Sequence, residues 1–421
     1  MDAKPYLATS AILNKGKMTM DDLKKRALDY HEFPKPGKLS VESSKPCASQ
    51  DDLSLAYTPG VAVPVREINR DPANAYRYTN KGNLVAVITD GTAVLGLGNM
   101  GPLASKPVME GKAVLFKHFA GIDVFDIEVN APSVEAFIET VVNIAPTFGG
   151  INLEDIAAPH CFRIENELRA RLDIPVFHDD QHGTAVIVAA ALSNALELQG
   201  KTLSGAKIVF LGAGAAGCSC ARLLKLMGAT NITMVDKSGV LDTARPDLHD
   251  NNRHLAVAPS AAKTLADVMP GADVFIGVSA ANALSADLLK LMAAKPVVFA
   301  LANPDPEILP SIAHAVRDDI LMATGRSDFP NQVNNALCFP YLFRGALDAK
   351  AKQITDEMQI AAAHALAALA REPVPADVLQ AYNLTSLSFG KDYIIPKPFD
   401  KRLLASVSGA VADAARAQQA K

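Results

Sequence analysis

Excess positive charge is absent from this chain and cysteines and long apolar runs are scarce, and each shortage excludes a class of function. The formal net charge is −4, so no cationic surface argues for nucleic acid or an anionic membrane as partner. The five cysteines, Cys47, Cys161, Cys218, Cys220 and Cys338, are odd in number and scattered. They make no disulfide framework, and a reducing cytoplasm is the expected setting. Cys218 and Cys220 lie two residues apart in an expected helix, so their side chains diverge and a zinc site is not expected. The apolar run Ala185 to Leu192 is less than half of the roughly 20 residues a spanning helix needs. The first residues, MDAKPYLATSAILNKGK, hold no continuous apolar core of signal-peptide length. The expectation is a soluble cytoplasmic protein.

What is present is ordered and modular. A hydrophobic content of 49% against 20% charged residues places the chain among globular proteins, and 421 residues exceed one ordinary core, so two domains are expected. Residues 1–35 read as a polar arm with one short helix, Asp21 to Tyr30. Beyond it strands and helices alternate: LVAVITDG (84–91), IDVFDIEVN (122–130) and IPVFHDD read as buried strands, and 133–143 and 162–172 as helices. This alternation argues for a mostly parallel sheet. A helix over 183–199 leads to a second unit whose apolar runs, AKIVFL, NITMVD, ADVFIGVSA, PVVFALANP and ILMATG, have the rhythm of a doubly wound nucleotide-binding domain. The fold class is therefore α/β, with an N-terminal α/β domain (36–181), a Rossmann-type domain (182–400) and helical termini, the last helix covering 401–421.

The glycine turn Gly212-Ala213-Gly214-Ala215-Ala216-Gly217 follows one of these strands and opens a helix. Gly212 suits the tight turn, Gly214 lets a pyrophosphate approach the backbone, and Gly217 lets the helix pack closely. Asp236 ends the next strand 19 residues past Gly217, where a carboxylate receives the adenosine ribose hydroxyls and favours NAD. Its neighbour Lys237 suits a 2′-phosphate instead, so NAD and NADP both stay open.

Acidic pairs mark the ends of two N-terminal runs: Glu154-Asp155 in GGINLEDI and Asp179-Asp180 in FHDDQHGTA. Strand ends are where α/β proteins place reacting groups. Three of these carboxylates can hold a divalent cation and leave one for acid–base work; taken alone, Asp179-Asp180 also reads as a helix cap. His178 and His182 flank the pair, and local hydrogen bonding suits His182 better than ligation. Tyr57 precedes the turn Thr58-Pro59-Gly60; it reads either as packing or as a phenolic general acid. Lys112 stands at the head of an apolar run, either snorkelling along a helix or drawn inward for function. Asn303, Asn334 and Asn335 lie near later strand ends, where Asx turns are the default reading.

Taken together, YTPGVA, TDGTAVLGLGNMGPLASKPVMEGK, GGINLEDI, FHDDQHGTA, LGAGAAG, ANPDPE and QVNNALCFP resemble, in this order, malic enzymes of the short bacterial type. The resemblance covers about residues 35–410. It implies oxidative decarboxylation of L-malate to pyruvate and CO2 with NAD or NADP and with Mg²⁺ or Mn²⁺, in a homo-oligomer (dimer or higher). Carried across position by position, it implies Tyr57 as general acid, Lys112 as general base and Asp179 as the acid supporting the lysine. It likewise implies Glu154, Asp155 and Asp180 as metal ligands, and Asn303 and Asn334 as cofactor and substrate contacts. Larger animal-type members carry an arginine inside the TDG motif that clamps the substrate carboxylate; here Ala93 stands in its place, and Asn334 is the candidate instead. Rival readings are a malolactic-type or oxaloacetate decarboxylase, an amino-acid dehydrogenase and a non-catalytic homologue. The acidic cluster speaks against the second, and retention of Tyr57, Lys112 and all four acids against the third.

Overall fold

The computed structural model describes residues 20–94 and 97–420. The first 19 residues of the expected arm, and Leu95-Gly96 of the TDGTAVLGLG motif, lie outside the described residues. The arm's helix α1 spans Met20–Glu32, and α2 (Gln50–Ala56) and α3 (Ala62–Arg70) follow it.

The first sheet has strands β1 (Leu84–Thr89), β2 (Asp123–Glu128), β3 (Gly150–Leu153) and β4 (Val176–His178) in the order β2-β1-β3-β4. All its pairings are parallel, so every strand ends at the same edge. β1 is buried throughout, as a nearly continuous apolar run in a covered parallel sheet should be. The sequence reading of 122–130 as a buried strand does not hold: β2 is an edge strand, and none of its six residues is buried. α4 (Pro102–Ala120) covers this sheet with a buried stripe of Ser105, Met109, Lys112, Phe116 and Ala120, a helical spacing that places one lysine among core residues. α5 (Val134–Ile144) and α6 (His160–Arg171) complete the domain.

The long helix α7 (Thr184–Leu198) is buried nearly all round, because it lies between the two halves. One continuous apolar core runs from Val85, Met109 and Phe116 through Val186 and Leu192 to Ile208 and Phe299. The second sheet has β5 (Lys207–Leu211), β6 (Asn231–Asp236), β7 (Gly239–Val240), β8 (Val274–Gly277), β9 (Val297–Ala300) and β10 (Leu321–Thr324) in the order β10-β9-β8-β5-β6-β7. That is the doubly wound order, in which chain direction across the sheet reverses beside β5 and opens a ligand crevice. β7 is the exception, a two-residue antiparallel strand closing the β6 edge. α8 (Ala215–Leu226) follows the glycine turn, and α9 (Phe339–Asp348), α10 (Asp356–Leu369) and α11 (Arg402–Gln419) pack behind.

Candidate active site

Because the first sheet is parallel, the residues after β1, β3 and β4 meet at one edge. After β3, Asp155 takes a left-handed backbone (φ 54°), an unfavourable geometry for a side chain with a Cβ. The turn is held from both sides. The Asp155 amide donates to Asp180 Oδ2 at 3.0 Å, and its carbonyl accepts from Ala93 N at 2.9 Å. Carboxylate oxygens of Glu154, Asp155 and Asp180 then lie within 4.8 Å of one another. An all-oxygen set of this kind suits a hard divalent cation such as Mg²⁺ or Mn²⁺, and a slight closure brings all three within reach of one ion. Burial, reinforced by Asp180, Asp179 and Asp155 and opposed by Lys112, holds the Glu154 carboxyl well above its ordinary value. Asn152, fully buried, donates to Glu154 Oε2 at 3.1 Å and fixes its orientation.

Lys112 projects from α4 into the same cluster. Its Nζ lies 2.5 Å from Asp179 Oδ2 and 2.9 Å from Glu154 Oε1, and 4.4 Å from the centre of the Phe339 ring. Burial disfavours the ammonium, but Asp179, Glu154 and Asp180 outweigh it and raise Lys112 above its ordinary value. The snorkelling alternative does not apply, since the side chain is 8% exposed.

Asp179 and Asp180 do not cap a helix. Residues Asp179–Gly183 form a π-helical turn with no side-chain cap, and Thr184 N donates back to Asp179 O. π-turns recur at functional sites because the extra residue re-aims side chains. Here the result is division of labour between neighbours: Asp179 is fully buried against Lys112, while Asp180 reaches Asp155. The turn is held by Glu165 of α6, a buried residue that the sequence reading passed over. Glu165 Oε1 accepts from the His178 amide at 3.3 Å, and Oε2 from Gln181 Nε2 at 3.1 Å. His182 Nε2 lies 2.8 Å from Oε1, so His182 serves the turn through α6 and is not a member of the acidic cluster. One signal was available: Glu165 falls in the buried stripe Cys161, Ile164, Leu168 of α6, where an unpartnered acid would be costly.

The glycine turn has the form a dinucleotide requires. Gly212 has φ +117° and a Cβ there would lie 2.7 Å from Val278 O; one on Gly217 would lie 2.0 Å from Gly212 O. Around Gly214 a Cβ would meet nothing within 4 Å, which leaves the backbone open at the head of α8, where Ala215 and Ala216 follow. Pyrophosphate binding needs this clearance together with the positive end of the helix.

The remaining candidates are less tightly placed. Asn303 is exposed beside Gly325. Asn334 is half-buried and its Oδ1 accepts from Ala336 N at 2.9 Å, an Asx turn, while the neighbouring Asn335 packs on Gly183 of the π-turn. Tyr57 is 70% exposed, and among the described residues no hydrogen bond joins its side chain to Lys112 or to the acidic cluster.

The chain matches the sequence profile of the malic enzyme N-terminal domain over residues 36–169 and that of the malic enzyme NAD-binding domain over 181–381. It is 59% identical over 399 residues to an NADP-dependent malic enzyme of Halomonas elongata, covering 94% of each chain. A bifunctional malic/malolactic enzyme of Bacillus subtilis is 51% identical over 397 residues, covering 93% of each. Against an Escherichia coli NADP-dependent malic enzyme the identity is 56%, but the chain spans about half of that protein, 52%. The crystal structure of malic enzyme from Pyrococcus horikoshii superposes with a TM-score of 0.84 at 43% identity, covering 94% of this chain and 91% of that one. The two family profiles match in succession along most of the chain, and the chain belongs to the malic enzyme family, the NAD(P)-dependent enzymes of oxidative malate decarboxylation.

Proposed function

We propose that Lys112 is the general base and that Glu154, Asp155 and Asp180 hold the divalent cation. The observation that carries this is the buried contact of one lysine with Glu154 and Asp179 beside the three-carboxylate cluster. Bound there, a divalent cation would supply Lewis acidity toward the substrate, and its charge would offset the carboxylates that raise Lys112. Lys112 takes the C2 hydroxyl proton, the dinucleotide, when bound, would accept the C2 hydride, and Asp179 orients the amine at 2.5 Å. Tyr57 returns a proton to C3 once CO2 has left. Asn334 binds the substrate carboxylate, the Gly212–Gly217 turn and Asp236 hold the dinucleotide, and Asn303 flanks it. The functional division is arm 1–35, substrate and metal domain 36–181, dinucleotide domain 182–400 and terminal helix 401–421. A cytoplasmic location is part of this proposal; among the described residues no helix is long and apolar enough to cross a membrane.

The test is absorbance at 340 nm with malate and Mn²⁺, run with NAD and with NADP beside assays for pyruvate and lactate. Reduced cofactor and pyruvate should appear together and vanish with EDTA or in Lys112→Ala. Lactate without reduced cofactor would favour the malolactic reading, which the Bacillus subtilis relative brings into play.

We further propose a homo-oligomer in which Tyr57 serves the Lys112 of a second copy. Neither α2 nor α3 buries a residue, and Leu55, Val63 and Val65 are exposed beside Tyr57 at 67%, 60% and 59%. An apolar face of this kind on a soluble protein marks an interaction surface, and a second copy is the occupant that also completes the site. Co-expressed Tyr57→Phe and Lys112→Ala chains should then recover activity that neither has alone. A monomer by light scattering with full activity would overturn the arrangement.

A further inference from the structure

The end of β6 carries a second arrangement that bears on which dinucleotide is taken. A carboxylate that recognises NAD must accept from two ribose hydroxyls. Asp236 is already engaged: Arg245 donates from Nη1 to Oδ1 at 2.9 Å and from Nη2 to Oδ2 at 2.8 Å, and Ser238 N donates to Oδ1 at 2.8 Å. Of roughly four lone-pair positions on a carboxylate, three are occupied, so two hydroxyls cannot both be received. Arg245 is not a passing surface partner. Its side chain is 13% exposed, and Nη1 is tied to Gly239 O at 3.1 Å.

The other edge of the same guanidinium, Nε and Nη2, is held by Asp247 at 2.9 and 2.7 Å. Asp247 is 52% exposed, and a two-pronged guanidinium edge fits a phosphate as well as a carboxylate. Asp247 thus sits where an incoming phosphate monoester would bind, and a half-exposed carboxylate is free to swing into solvent. Nearby Lys263 is engaged with Asp242 at 2.6 Å, whereas Lys237 is exposed and has no ion pair among the described residues. Once Asp247 leaves, Arg245 and Lys237 stand against Asp236 alone, a net positive site.

We propose that Arg245 selects the 2′-phosphorylated dinucleotide, neutralising Asp236 and yielding its outer edge from Asp247 to the 2′-phosphate. This rests on the dinucleotide reading of the Gly212–Gly217 turn and Asp236, and narrows it to NADP. The test is titration calorimetry of the full chain with 2′,5′-ADP and with 5′-AMP, in the absence of substrate and turnover. The wild type should bind 2′,5′-ADP at least tenfold more tightly than 5′-AMP. Arg245→Gln should lose that preference by tenfold or more and bind 5′-AMP more tightly, since Asp236 is released. Asp247→Asn, which leaves the guanidinium in place, should strengthen 2′,5′-ADP several-fold and leave 5′-AMP unchanged; it keeps the proposal testable if Arg245→Gln does not fold. Equal affinities for the two fragments in the wild type, or a preference untouched by both variants, would overturn the role of Arg245 and leave the dinucleotide site standing. Binding of neither fragment would remove the site itself and the proposal with it.

Discussion

Replacing Gly183 by alanine sets two physical effects against each other. Gly183 has φ −60° and ψ −48°, ordinary helical angles that alanine adopts freely. By helix propensity alone the substitution should stabilise the protein by about 1 kcal/mol. Space says otherwise, because a Cβ there would lie 1.9 Å from Asp179 Oδ1 and 3.3 Å from Asn335 Cβ. Non-bonded atoms settle at about 3.5 Å or more, so the Asp179 carboxylate must retreat by about 1.5 Å. Its other oxygen is 2.5 Å from Lys112 Nζ, and a displacement of that size ends the contact unless the lysine follows.

Overpacking typically costs about 1–3 kcal/mol, which the propensity gain partly offsets. Gly183→Ala should therefore fold, with a loss of no more than about 2 kcal/mol. Misplacing a catalytic group by about 1 Å costs on the order of 10²-fold in rate. The expected result is a near-native thermal melt with kcat at saturating malate and Mn²⁺ reduced about a hundredfold. A variant with kcat within threefold of wild type would refute the claim that Asp179 positions Lys112, because the steric conflict cannot be avoided without moving that carboxylate.

Two glycines of the dinucleotide turn should separate binding from stability. Gly214→Ala meets nothing within 4 Å, so it should leave the melt unchanged while weakening NADP binding in calorimetry; Gly217→Ala drives a Cβ to 2.0 Å from a backbone oxygen and should lower the melting temperature outright. Asp319 gives a pH prediction: bonded by Arg317 and the Lys295 amide, its carboxyl is held at about 2. A depressed acid contributes stability above its unfolded value near 4 and loses it as pH falls through its folded value. Asp319→Asn should cost about 1 kcal/mol near neutrality after allowance for solvent screening, and urea titrations of variant and wild type should converge between pH 4 and pH 2.

How far the fold was legible depended on whether burial is a local matter. LVAVIT and KIVFL are apolar on both faces, as strands covered by helices must be, and both are central strands. The run at 122–130 differs, with Asp123, Asp126 and Glu128 among its residues, and β2 sits at a sheet edge; the acids argue against full burial, but strand order itself depends on distant partners, which the run does not encode. The same holds for Tyr57. Its motif could be matched, but that α2 and α3 bury none of their residues depends on which other elements cover them, and none among the described residues does. The shape of the Gly212 turn, by contrast, was readable, because Gly212 and Gly217 answer to steric contacts within the unit itself.

The acid pair shows where local reading stops and what the fold adds. Asp179-Asp180 followed by small residues reads as a cap, since that is what adjacent acids at a helix start usually do. Glu165, on another helix, engages the backbone of His178 and the side chains of Gln181 and His182, and so holds the five-residue π-turn. That turn points the two carboxylates at different targets, Lys112 for Asp179 and the Asp155 loop for Asp180. If the division is real, two isosteric variants must fail differently. Mn²⁺ at a hundred times its dissociation constant should stabilise the wild type by about 2.7 kcal/mol. Asp180→Asn should lose most of that gain at the same Mn²⁺ concentration, because it removes a ligand. Asp179→Asn should keep it, while kcat falls on the order of 10²-fold or more through loss of the group that orients the base. Parallel losses of Mn²⁺ stabilisation in both variants would mean that the adjacent acids act as one metal-binding unit, and that the π-turn does not separate their roles.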